Sequence, residues 1–151
     1  MTLGHLDIIQ RGAKLFDQVI VAIVGNPGKS SLLPLEIRST LIKQTVSDLE
    51  NVVVSDFQGL TVDYARENNI NILIRGLRAI SDFEVELAMA QTNKELYPEL
   101  ETIFLMSKAE YSFISSSIVK EIARLGGKVS HFVPKPVNEY LKEHYHRGTL
   151  I

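Results

Sequence analysis

Val19-Ile20-Val21-Ala22-Ile23-Val24 is a run of six apolar residues without alternation, broken by Gly25-Asn26-Pro27-Gly28-Lys29. A strand with one wet face alternates polar and apolar residues. A strand covered on both faces, as in a parallel sheet, does not. The run therefore predicts a buried strand of a parallel sheet. Before it, Leu6, Ile9, Ala13 and Phe16 recur at helical spacing over residues 4–16. After it, Pro34 suits the first turn of a helix running to about Val46. The unit then repeats. Residues 51–55 and 70–74 predict strands around a helix from Gly59 to about Asn69. A long helix follows from about Ser81 to Leu96, with Phe83, Leu87 and Ala90 on one side. Thr102 to Met106 predicts another strand. Ser115 to Leu125 predicts a helix stopped by Gly126-Gly127, and Pro136 to about Tyr145 a last, charged one. Strands alternating with helices predict an α/β fold, a doubly wound parallel sheet with helices on both faces.

The 151 residues fit one domain with a sizeable core. Hydrophobic residues at 45% and charged residues at 23% are ordinary for a globular protein. A formal net charge of -2 gives no global basic field, which argues against nucleic acid. There are no cysteines, hence no disulfide framework and no thiol nucleophile. No stretch has transmembrane length, and Asp7, Arg11 and Lys14 interrupt the N-terminal apolar residues, so no secretory signal is read there. A cytoplasmic protein, without membrane contact, is the expectation.

In parallel sheets ligands sit outside the carboxyl ends of the strands, so chemistry is sought just after each one. Lys29 follows the first strand and Phe57-Gln58-Gly59-Leu60-Thr61 the second. Arg75-Gly76-Leu77-Arg78 follows the third. Guanidinium groups bind phosphate bidentately, and glycine lets backbone N–H groups join them. Asp82, Glu84 and Glu86 then begin a helix, where acidic residues satisfy the helix dipole. After the last strand, Tyr111-Ser112-Phe113-Ile114-Ser115-Ser116-Ser117 leads into a helix with hydroxyls and backbone donors for one anion. Thr2-Leu3-Gly4-His5 opens the first helix. Thr2 can cap it, Gly4 leaves room for a close ligand, and the dipole disfavours protonated His5, making the ring a neutral donor aimed at an anion. The expected ligand is rich in phosphate. Neither a Gly-x-Gly-x-x-Gly fingerprint nor P-loop spacing occurs. No histidine pair has metal-ligand spacing in these loops, so no protein metal site is expected.

These residues resemble the bacterial phosphopantetheine adenylyltransferases, of the nucleotidyltransferase superfamily with the Thr/His-x-Gly-His motif. The similarity covers essentially the whole chain. It rests on Thr2-Leu3-Gly4-His5, on Ile74 to Ala79 with Asp82-Phe83-Glu84, and on Glu99 to Met106 followed by Tyr111 to Ser117 and Val119-Lys120-Glu121. The resemblance implies a single Rossmann-like nucleotidyltransferase domain over residues 1–151. It implies transfer of AMP from ATP to 4'-phosphopantetheine, giving dephospho-coenzyme A and pyrophosphate by direct in-line attack. By position, His5 would stabilise the transition state. Lys29, Thr61 and Arg75 would hold phosphopantetheine. His5, Gly76, Leu77, Arg78, Glu86, Tyr111, Ser112, Phe113, Ile114, Ser115, Ser116 and Ser117 would contact ATP. Mg2+ would bridge ATP phosphates, and a homo-oligomer, a hexamer by similarity, would form.

One departure matters. The family places a strand and a Gly-Ser/Thr-Phe-Asp-Pro loop just before the motif, and here Thr2 is the second residue. That strand lies mid-sheet in the family, so its neighbours are expected to lose a partner, and Met1 is expected to be an internal methionine or the chain a fragment. Two alternatives stand beside the leading reading. One is a related cytidylyltransferase. The other is a catalytically impaired nucleotide- or coenzyme A-binding module.

Overall fold

The computed structural model describes residues 1–25 and 32–145. Helix and strand alternate in the expected order: α1 (Leu3–Leu15), β1 (Val19–Val24), α2 (Leu35–Thr45), β2 (Val52–Phe57), α3 (Thr61–Glu67), β3 (Ile72–Leu77), α4 (Ile80–Leu96), β4 (Glu101–Met106), α5 (Ser116–Arg124) and α6 (Lys135–Tyr145). A single 3-10 turn, Ala109–Tyr111, lies between β4 and α5. All strand pairing is parallel. β1 pairs with β2 from Val19↔Val52 to Val24↔Phe57, and β3 with β4 from Ile72↔Glu101 to Leu77↔Met106.

Two strands were expected to lack a partner, and the sheet is divided accordingly. The four strands form two separate two-stranded sheets, β1–β2 and β3–β4. Among the described residues each strand is therefore paired on one edge only. The expected burial of β1 is corrected. Of its six residues only Ile23 is buried, and Ala22 and Val24 are exposed. Ala22 and Val24 alternate with Ile23, so the exposed residues share one face of the strand at its carboxyl end.

Helix α1 joins the halves. A Cβ on Gly12 would stand 3.2 Å from Ile74 Cδ1 of β3 and 3.7 Å from Val19 Cγ2 of β1. Asn51, at the foot of β2, donates from Nδ2 to the carbonyls of Ala13 (2.8 Å) and Phe16 (2.9 Å). At the other end of the sheet, a Cβ on Gly76 would meet Ile8 Cγ1 at 3.0 Å. A Cβ there would make the Ile8 side chain give by a few tenths of an ångström, so glycine suits the close packing of α1 on the strand. α1 thus runs antiparallel to the strands, and its N-terminus stands at their carboxyl ends. Because side chains alternate along a strand, Ile74 and Gly76 face α1, and Arg75 faces the opposite side, where it meets Glu86 of α4. Helices therefore cover both faces of β3, as expected.

Two apolar clusters hold the rest. Leu41, Ile114, Val119, Ala123, Val137 and Leu141 tie α2, α5 and α6 together. Val62, Ala65, Tyr97 and Leu100 join α3 to the turn after α4, with Leu73 of β3 packed against them. Burying a side chain such as Leu100, 1% exposed, stabilises by about 1.5–3 kcal/mol.

Candidate active site

At the head of α1 the Thr2 N–H donates to His5 Nδ1 at 3.2 Å, the half of a capping box in which the N3 side chain reaches back to the N-cap. The Thr2 hydroxyl lies 2.7 Å from the same nitrogen. A backbone N–H can only donate, so Nδ1 is the acceptor and the ring proton of neutral His5 sits on Nε2. Desolvation, then the N-terminal ammonium, then Arg78, lower the His5 pKa to about 4. By surface area His5 is an exposed residue, so the desolvation comes from groups packed around a ring that still meets solvent. The neutral donor read from the sequence is therefore present. The first turn has fewer free donors than expected, because the Leu3 N–H binds the Phe132 carbonyl at 2.9 Å. Gly4 has another meaning than packing. A Cβ there would only reach ordinary contact with Tyr111 Cβ, 3.6 Å away.

The segment after β4 faces this turn. Ile114 belongs to the core, and Phe113 is exposed, its ring edge-on to Phe132. Ser115 is the N-cap of α5, its Oγ accepting the Ile118 N–H at 3.1 Å, and Ser116 and Ser117 form the helix's first turn. Ser112 donates to the Ala109 carbonyl at 2.8 Å. One serine is thus a cap, and two remain at a helix N-terminus where an anion is favoured. Burial, with Glu110 beside it, raises the Tyr111 hydroxyl.

Arg78 links this segment to β3. It donates to the Ile114 carbonyl at 3.2 Å and grips Asp82 through Nε (3.0 Å) and a terminal nitrogen (3.1 Å). The Arg78 hydrogen bond holds the Asp82 carboxyl below its ordinary value. Arg75 is gripped the same way by Glu86, at 2.6 and 2.8 Å. The sequence reading placed Arg75, Gly76 and Leu77 in a loop. They are instead the last residues of β3, and Leu77 is buried. Capping is likewise too small a role for Asp82 and Glu86, which orient the two guanidinium groups.

His5, Arg78 and the Tyr111–Ser117 segment are brought together. Arg75, Glu86 and Thr61 lie on the α4 side of β3. Lys29 lies outside the described residues. On the α4 side an apolar groove of about 600 Å³ runs beside Thr61 between Leu60 and α4, lined by Val85, Ala88, Met89, Asn93 and Leu96 among others. Sequence reasoning missed it. Its signal was a second apolar stripe on α4, Val85-Met89-Leu96, beside the Phe83-Leu87-Ala90 stripe.

The cytidylyltransferase-like family matches residues 1–122. The phosphopantetheine adenylyltransferase of Picosynechococcus sp. is 55% identical over 145 residues, 96% of this chain and 82% of that protein. That of Thermosynechococcus vestitus is 56% identical over 142 residues, 94% of this chain and 84% of the relative. That of Nostoc sp. is 58% identical over 134 residues, 89% and 70% of the two chains. This chain belongs to the phosphopantetheine adenylyltransferase family. The adenylyltransferase relatives decide between the two enzyme readings, in favour of adenylyl transfer over cytidylyl transfer. The family match over residues 1–122 takes in His5, Arg78 and the Tyr111–Ser117 segment.

Proposed function

We propose that this chain transfers AMP from ATP to 4'-phosphopantetheine in coenzyme A biosynthesis. A phosphate oxygen of phosphopantetheine attacks the α-phosphorus of ATP, the bond to the β-phosphate oxygen breaks, and dephospho-coenzyme A and pyrophosphate result. The observation carrying this reading is the neutral His5 ring, its Nε2–H without a partner among the described residues, at a helix N-terminus beside Arg78 and the N-terminus of α5. Such donors act by stabilising charge that builds up in the transition state. Arg78, Ser116 and Ser117 take ATP phosphates, with Gly76, Leu77, Tyr111, Ser112, Phe113, Ile114 and Ser115 shaping that subsite. Arg75, oriented by Glu86, takes the phosphate of phosphopantetheine with Lys29. The groove beside Thr61 suits its extended arm, with Asn93 and Thr92 as partners for the arm's amides. Mg2+ arrives as the ATP complex, held by phosphate oxygens as hard cations prefer. Among the described residues no group of three or more His, Asp or Glu side chains gathers to hold a metal.

The chain is proposed to work in the cytoplasm, where both substrates are made, and as a homo-oligomer, a hexamer by similarity. No helix among the described residues is long and apolar enough to cross a membrane. The single-domain reading extends to the unpaired edges of β1 and β3, which α1 spans. A parallel strand of the kind the family carries ahead of its motif fits between them.

The test is pyrophosphate release from ATP with 4'-phosphopantetheine, on this chain and on one extended by such a strand. Release by either supports the assignment, and faster release by the extended chain supports the central strand. ATP binding without release in both would leave a nucleotide- or coenzyme A-binding module and overturn the enzyme.

A further inference from the structure

Asp7 is a carboxylate only 3% exposed, two residues beyond His5 and unused by the chemistry above. Burying a carboxylate is costly unless it is paired and hydrogen-bonded. Its partners are specific. Oδ2 accepts from the Arg11 guanidinium at 3.3 Å and from the Lys108 backbone N–H at 3.3 Å, and Oδ1 stands 3.7 Å from the Lys108 ammonium. Arg11 also donates to the Met106 carbonyl. The Asp7–Arg11 pair lies within α1, and the contacts to Lys108 and Met106 join α1 to one place, the end of β4, where the chain leaves the sheet and becomes the segment through Tyr111 to Ser117. That segment has few other anchors near its start. The Ser107 N–H binds the Leu77 carbonyl at 2.8 Å, and Arg78 reaches it only at Ile114.

We propose that Asp7 is a positioning residue for adenylyl transfer: its carboxylate clasps the Lys108 N–H and the Arg11 guanidinium, and so sets the distance between His5 and the ATP-binding segment. This rests on the proposed function, in which that segment holds ATP. His5 and Asp7 share one rigid turn of α1. A helix fixes their separation, so anchoring the segment at Asp7 places it relative to His5. Misplacement of about 1 Å between reacting parts can cost about a hundredfold in rate.

The experiment compares the wild-type chain with Asp7→Ala, Asp7→Asn and Arg11→Met. Steady-state kinetics, ATP titration calorimetry and amide hydrogen exchange are read well below the melting temperature. For Asp7→Ala, residues 107–117 are expected to exchange faster while the interiors of α5 and β3 do not. kcat is expected to fall about tenfold to a hundredfold, with the ATP dissociation constant changed by about threefold at most. Asp7→Asn keeps an oxygen for the Lys108 N–H and is expected to recover part of both. If Asp7→Ala does not fold, Asp7→Asn and Arg11→Met carry the comparison. Unchanged exchange over 107–117, or faster exchange spread evenly over the chain, overturns the proposal. So does local opening with kcat unchanged. If neither the wild-type chain nor the strand-extended chain releases pyrophosphate, the enzyme reading fails instead, and the exchange pattern alone then decides the clasp.

Discussion

His5 is a neutral donor because its two ring nitrogens are treated differently. Nδ1 is occupied from Thr2, and the surroundings oppose a second proton. Replacing it tests whether its bond forms in the transition state. His5→Ala is expected to lower kcat by about a hundredfold to a thousandfold, the range for one lost donor to developing charge. ATP affinity measured by calorimetry should change little, and equal loss of both would remove His5 from that role. The same residue makes stability depend on pH. The folded chain keeps His5 neutral down to about pH 4, while the unfolded chain takes up the proton near pH 6.5, about the ordinary value. Between these values the unfolded state binds more protons. This contribution is therefore complete above pH 6.5 and lost as pH falls toward 4. Urea midpoints measured from pH 7.5 to 4.5 should fall more steeply for the wild type than for His5→Gln. Parallel curves would assign the loss to other groups.

At the scale of elements, the β3–α4 unit is built as a pair of oriented guanidinium groups. Surface ion pairs usually contribute little, and these two serve geometry more than stability. A lysine cannot make the two-pronged contact. Arg78→Lys is therefore expected to release both Asp82 and the Ile114 carbonyl, weakening ATP binding by about tenfold with a small change in melting temperature. Calorimetry and thermal melts separate the two. Asp82, held below its ordinary value by Arg78, contributes stability above that value, and it is lost as pH falls through the lowered one. The element sequence was readable from apolar runs and caps, and β1 was placed to the residue. β3 was read three residues early at its end, because Arg75-Gly76-Leu77 has loop composition. Only the structure shows Ile8 over Gly76 and Glu86 beside Arg75. Arg75 and Glu86 are eleven residues apart on different elements, so no local periodicity could announce the pair. Asp82 stands four residues beyond Arg78, a spacing that could have been used.

For the whole molecule, the parallel α/β class and the gathering of His5, Arg78 and the Tyr111–Ser117 segment at one end of the strands were legible. The division into two sheets followed from the resemblance, not from the residues present, since an apolar strand reads alike with one partner or two. The exposure of α4 was not legible either. None of its 17 residues is buried, although the Phe83-Leu87-Ala90 stripe reads as a core face. Ile80 is 84% and Val85 63% exposed. Monomers rarely leave such contiguous apolar area open. The groove beside Leu60 accounts for Val85, Met89 and Leu96, which line it. Phe83 lies off it with its ring edge-on to Phe104 of β4, and Ile80 and Leu87 beside it suit a contact with a second copy. Ile80→Glu separates association from folding. Ile80 touches little within its own chain and is the first residue of α4, where a negative charge complements the helix dipole. The variant should fold at least as stably as the wild type. Placed in an apolar interface, the unpaired carboxylate should oppose assembly. Light scattering across a dilution series should show the wild type as an oligomer and Ile80→Glu shifted toward the monomer, with its helical circular dichroism intact. An unchanged mass would free this stripe from the interface.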